Sequence, residues 1–142
     1  MRIVLDSSSL AKRYVQEPGS ADVEDVLATT SELGLCILCF PEVVSALNRL
    51  CREDALTAVD YQQAKAALVA DMKEATILHL TPSVVTRSIR LLETNVLRAM
   101  DSLHVACAME WRADLFVSSD HRQSAAAERA GLPTQFIGQP VD

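Results

Sequence analysis

The sequence predicts an α/β protein with three layers: a central parallel sheet of about five short strands, with helices on both faces. Three observations predict it. Short runs rich in Ile, Val, Leu or Phe alternate with helically periodic segments from end to end. The stretches between runs are long enough for the crossover helices that parallel pairing needs. No Gly/Ser-rich linker, low-complexity tract or repeat breaks the alternation, so residues 1–142 are expected to form one domain.

The first strand is expected at residues 2–5, where Ile3, Val4 and Leu5 form a run suited to burial on both faces. It ends on Asp6 and the hydroxyls Ser7, Ser8 and Ser9. The loop around "QEPGSAD" then joins two helices. A second strand is predicted at 35–39, followed by a helix at 41–53 with Pro41 in its first turn and Val43, Val44, Leu47, Leu50 and Cys51 on one face. Thr57 suits the cap of a helix at 57–74, and Tyr61, Ala64, Leu68 and Met72 recur along it at helical spacing. After a third strand at 76–80, Thr81 and Pro82 open a helix that stops near Asn95. The remaining elements are a helix at 99–112, a strand at 115–118, a helix from Asp120 to a left-handed stop at Gly131, and a strand at 134–137.

Composition narrows the function classes. Hydrophobic residues make up 49% and aromatics 4%, which fits a helix-rich globule and not a disordered chain. No apolar run approaches the ~20 residues of a membrane span, and the N-terminus lacks a signal pattern, so a cytoplasmic protein with no membrane partner is expected. The formal charge of −6 disfavours non-specific adhesion to nucleic acid or anionic lipid. It does not exclude a nucleic-acid enzyme, because a cluster of acidic metal ligands contributes to the same deficit. Cys36 and Cys39 form a C-x-x-C inside "LGLCILCF". Read as a strand, their offset of three puts the thiols on opposite faces, where they behave as small apolar residues and not as a zinc pair.

The acids fall in a pattern. Ligands of open parallel sheets bind outside the carboxyl ends of the strands. Asp6 follows the first strand, Glu42 lies just past the second, Asp120 ends "LFVSSD", and Asp101 begins the helix "MDSLHVACAMEW". Close carboxylates repel by about 1 kcal/mol per pair at 4 Å in water, and by several-fold more in a cleft. Raised pKa values or a bound divalent cation relieve that strain. Carboxylate and hydroxyl oxygens suit Mg²⁺ or Mn²⁺ and serve phosphate chemistry. Capping is the competing explanation for Asp6, Asp101 and Asp120, each at or near a helix N-terminus, and Asp120 with Gln123 fits a capping box. Capping alone predicts no preference for one sheet edge.

The segments "IVLDSSSLAKRYVQEPGS", "PEVVSALNRL", "VLRAMDSLHVACAMEWRADLFVSSD" and "AAERAGL" resemble, in order and spacing, the PIN-domain ribonucleases, above all the VapC-type toxins of toxin–antitoxin pairs. The resemblance covers essentially the whole chain. It implies a three-layer α/β/α PIN-like fold and a Mg²⁺- or Mn²⁺-dependent endoribonuclease, with RNA as substrate, a cognate antitoxin as partner and a homodimeric state. Its acidic site falls on Asp6, Glu42, Asp101 and Asp120, supported by Ser8. Ser118 stands where Thr is more usual. Lys12, Arg13, Arg98 and His121 are candidates for RNA contact, Lys12 and Arg13 equally for a solvated helix face, and Arg98 also for orienting Asp101. His104 and Trp111 read as a hydrogen-bonded core group and a packing residue. The alternative reading is a catalytically weak PIN-like module that works mainly through its antitoxin complex.

Overall fold

The computed structural model describes residues 1–138. Five strands, β1 (Arg2–Leu5), β2 (Glu32–Cys36), β3 (Thr76–Leu78), β4 (Leu115–Ser118) and β5 (Thr134–Phe136), form one parallel sheet in the order β3-β2-β1-β4-β5. The helices between them are α1 (Ser7–Ala11), α2 (Ser20–Ala28), α3 (Cys39–Arg52), α4 (Ala58–Glu74), α5 (Pro82–Thr94), α6 (Ala99–Glu110) and α7 (His121–Arg129).

Strand alternation splits the core in two. Ile3, Leu5, Leu35 and Val117 pack with Leu10, Val23, Val43, Leu47 and Leu68 from α1 to α4. Val4, Cys36 and Phe116 face the other way, towards Val84, Leu91, Val105 and Ala127 of α5 to α7. Chain order explains the sorting. The chain steps from β1 to β2 to β3 in one direction, then crosses to β4 and β5 in the other. Crossovers of one hand place their helices on opposite faces when that direction reverses. The reversal lies between β1 and β4, the position at which open α/β sheets form a cleft.

Local chemistry sets the helix ends. Thr57 and Thr81 accept from Asp60 N at 3.1 Å and Val84 N at 3.2 Å, as their cap positions predict. Gly131 adopts φ 84° just beyond α7, a left-handed stop. The second strand lies at 32–36 and not at 35–39. Gly34, of a residue type that weakens strands, sits inside it with the Trp111 ring packed close against it; a Cβ there would stand 2.6 Å from Trp111 Cζ3. Cys39 is consequently the first residue of α3, and Pro41 in the first turn tolerates the earlier start. Cys36 and Cys39 still enter different cores, now because one ends a strand and the other starts a helix. Cys107 is also buried, whereas Cys51 is half-exposed. Among the described residues no helix is long and apolar enough to cross a membrane.

Candidate active site

Asp6 leaves β1 fully buried, its backbone N–H still donating to Val117 O at 3.1 Å. Its side chain caps α1 by accepting from Ser9 N at 2.9 Å on Oδ1. Oδ2 accepts from Ser8 Oγ and from Ser118 Oγ, both at 2.7 Å. Burial pushes its pKa above the ordinary carboxyl range, against the pull of the His104 charge and these three hydrogen bonds. Ser8 also accepts from Ser119 N at 3.1 Å, so it ties the exits of β1 and β4 together.

Asp120 caps α7, with Oδ1 accepting from Arg122 N at 2.8 Å and Gln123 N at 3.3 Å. The expected capping box is only half formed. The Asp120 N–H donates to Ser118 Oγ at 2.9 Å, and the Gln123 side chain donates instead to Asp101 Oδ1 at 3.1 Å. Asp101 lies in the first turn of α6, where its Oδ2 accepts from Arg98 N at 3.3 Å and Arg98 Nε at 3.1 Å. That carboxylate is buried, while the Arg98 side chain is 77% exposed. Arg98 has its pKa raised by its hydrogen bond to Asp101 and by that charge, with Asp120 and Glu42 adding to it.

Glu42 enters from α3. Its Oε1 accepts from Ser7 Oγ at 2.9 Å and pairs with His104 Nε2 at 2.5 Å. Burial opposes its ionisation, but the His104 hydrogen bond and charge, with Ser7 and Arg98, hold the carboxyl below its usual range. His104 is itself buried. Burial works against the imidazolium, yet the neighbouring Cys39 sulfur and Glu42 raise the pKa well above the ordinary histidine value.

The structure brings the acids to one edge of the sheet. A continuous chain of hydrogen bonds runs Asp101–Gln123–Asp120–Ser118–Asp6–Ser8. Glu42 lies beside it, held by the residue after Asp6 and by a histidine one turn along α6 from Asp101. Their repulsion is offset by built-in cations, Arg98 and His104, together with the raised pKa of Asp6. The donors are hard carboxylate oxygens, the chemistry a divalent cation requires. Their spacing does not close on one point: among the described residues no three His, Cys, Asp or Glu side chains are arranged to hold a metal ion.

The candidate cationic contacts divide. Arg98 orients Asp101. Lys12 donates to Glu17 at 3.2 Å and to Pro18 O at 2.9 Å. Arg13 pairs with Asp71 of α4 at 3.1 Å, and His121 stacks on Phe136 with ring centroids 4.0 Å apart. The sequence reading did not assign site roles to Ser7 and Gln123. Ser7 was visible only as one of three hydroxyls after Asp6, and Gln123 only as a capping partner.

A PIN domain family model matches residues 3–129, and the chain belongs to that family. No curated protein sequence matches it. Three solved structures of similar fold are distant in sequence. VapC20 of Mycobacterium tuberculosis, described as a sarcin–ricin-loop-cleaving toxin, is 16% identical, with a TM-score of 0.67 over 87% of this chain and 94% of its own. VapBC2 of Rickettsia felis, bound to a DNA fragment from its promoter, is 12% identical, with a TM-score of 0.68 over 97% of this chain and all of its own (100%). VapBC-1 of nontypeable Haemophilus influenzae is 12% identical, with a TM-score of 0.68 over 96% of this chain and 98% of its own.

Proposed function

We propose that this PIN-domain chain is a cytoplasmic endoribonuclease that hydrolyses RNA phosphodiester bonds and serves as the toxin of a toxin–antitoxin pair. The observation that carries the reading is the hydrogen-bonded line of Asp6, Asp101 and Asp120, with Glu42 beside it, at the reversal point of the sheet. The reading includes a cognate antitoxin, supported by the VapBC structures among proteins of the same fold, and a homodimer.

Asp6, Asp101 and Asp120, with Glu42, are the residues that would hold Mg²⁺ or Mn²⁺. When bound, such an ion polarises a phosphodiester and lowers the pKa of an attacking water. The chain's own residues hold the carboxylates in place. Ser8, Ser9 and Ser118 fix both oxygens of Asp6, and Gln123 locks Asp101 to the start of α7. Ser7 and His104 fix Glu42. Because the spacing of these side chains does not close on one point, binding the ion would draw the carboxylates together from the positions these partners give them.

The test is cleavage of a defined RNA by antitoxin-free protein in Mn²⁺, with and without EDTA, for the wild type, Asp6→Asn and Asp101→Asn. An EDTA-sensitive cut lost in both variants is expected, with each variant still folded. Full activity in either variant would end the proposal. The engaged carboxylates and the Arg98 counter-charge favour a second reading, a catalytically weak module acting through its antitoxin complex. RNA left intact by the wild type after long incubation selects that reading.

A further inference from the structure

One face of α3 leads away from the site. Glu42, Ser45, Ala46, Arg49 and Arg52 recur at helical spacing, while Val43 and Leu47 on the other side are buried in the core. Arg49 and Arg52 are exposed, and among the described residues neither has a salt-bridge or side-chain hydrogen-bond partner. Arg2 pairs with Glu32, Lys12 with Glu17, Arg13 with Asp71 and Arg87 with Glu110, whereas Lys73, Arg90, Arg112 and Arg122 resemble Arg49 and Arg52 in having no such partner among the described residues. What sets Arg49 and Arg52 apart is their place, in clefts that also take in Glu42. Two clefts meet along this face. One, of about 420 Å³, includes Ser8, Glu42, Arg49, Arg98 and Ser119. The other, of about 470 Å³, continues past Ser45, Ala46 and Arg52.

We infer that Arg49 and Arg52 form a phosphate track, along which the sugar–phosphate backbone of single-stranded RNA lies as it leads to the acids. The inference rests on the ribonuclease reading above. Ser45 and Ala46 are small enough to floor a channel. Arg49 stands seven residues, about 10 Å of axial rise, from Glu42, and Arg52 a further ~4.5 Å. A polyanion with regularly spaced charges satisfies both arginines while carrying a diester linkage a few nucleotides on to the acid cluster. Arginine suits this role because its planar fork grips phosphate oxygens. Such contacts position the strand without reading its bases. The track also explains how an acidic protein engages RNA: attraction is confined to one groove and is absent from the surface as a whole.

The test compares wild type, Arg49→Ala/Arg52→Ala and a charge-matched control, Lys73→Ala/Arg90→Ala, whose side chains are exposed and outside these two clefts. Fluorescence anisotropy with a short 5′-fluorescein oligouridylate, in EDTA, gives affinity at a series of KCl concentrations. Thermal melts verify that all three chains fold. The track variant is expected to bind about tenfold more weakly, irrespective of base sequence. Its slope of log K against log salt should fall by about 1.4, close to 0.7 for each single-strand phosphate that an arginine no longer neutralises. In Mn²⁺ its KM for RNA cleavage should rise with kcat little changed. Equal affinities and slopes in the track variant and wild type, the same weakening in the control pair, or no RNA binding by the wild type overturns the inference. If the wild type cuts RNA and the track variant cuts it with the same KM, the track falls and the ribonuclease reading stands. If the wild type leaves RNA intact, that reading falls as well.

Discussion

Replacing Ser118 with alanine removes one support of the buried acid and leaves the rest in place. The hydroxyl is fully buried, donates to Asp6 Oδ2 at 2.7 Å and accepts from the Asp120 N–H at 2.9 Å. Asp6 retains Ser8 Oγ and Ser9 N as donors. A hydrogen bond to a charged group contributes about 1.5–3 kcal/mol, and one between neutral groups about 0.5–1.5 kcal/mol. The Asp120 N–H lies at a half-exposed helix start, where water replaces the missing acceptor at little cost. The variant is therefore expected to lose about 2 kcal/mol with Asp6 ionised and about 1 kcal/mol with Asp6 protonated. Burial raises the folded pKa of Asp6 above its ordinary value of 3.8, and removal of a donor to the carboxylate raises it further. Between those limits the folded chain holds more protons than the unfolded one. The Asp6 contribution to stability therefore falls as pH rises through that window, and falls further in the variant. Urea unfolding followed by circular dichroism, in metal-free buffer, measures the difference. Above the folded pKa of Asp6 the midpoint should drop by about 1 M, for an m-value near 2 kcal/mol/M, and the drop should shrink as pH falls through that pKa. A penalty that is constant with pH, or that grows as pH falls, refutes the assignment of Ser118 to the Asp6 carboxylate.

Gly34→Ala drives a methyl into the Trp111 ring and should cost about 1–3 kcal/mol, read as a lowered melting temperature. Arg98→Ala removes a tethered cation that competes for the acids. Mn²⁺ binding by titration calorimetry should tighten by up to ~5-fold, in line with the ~1 kcal/mol ceiling of an exposed ion pair. Weaker Mn²⁺ binding would instead make Arg98 a support of the ion site. Thr57→Ala removes the cap of α4, and calorimetry should find a drop of about 1 kcal/mol in stability with RNA cleavage unchanged.

The layers, the parallel sheet and the helix caps were legible in the sequence because each follows from local periodicity or from one capping residue. Thr57 and Thr81 cap the helices their spacing predicts. The second strand was displaced because it contains Gly34, a residue type that reads as a strand breaker and whose space is taken by Trp111 far along the chain. The edge that collects the acids was also legible, since strand exits can be read from apolar runs. The way the edge is wired was not. Ser118 reaches Asp6 across 112 positions, and Gln123 turns from its own helix start to Asp101. Both residues carry polar side chains whose local reading, a hydroxyl at a strand exit or a capping partner, is complete without the distant partner. Arg98 was legible as a partner of Asp101 three positions on, but the pairing of His104 with Glu42 was hidden for the same reason: formal charge can be counted along a chain, whereas its distant pairing depends on the fold.

The sheet order has a consequence for biosynthesis. Asp6 is made long before the hydroxyl and the acid that complete its surroundings, which lie on β4 and at the start of α7. A growing polypeptide lacks the finished cleft until residues near position 120 have left the ribosome. Under the ribonuclease reading proposed above, the acid cluster would therefore stay unassembled while the residues between Asp6 and Asp120 are being made.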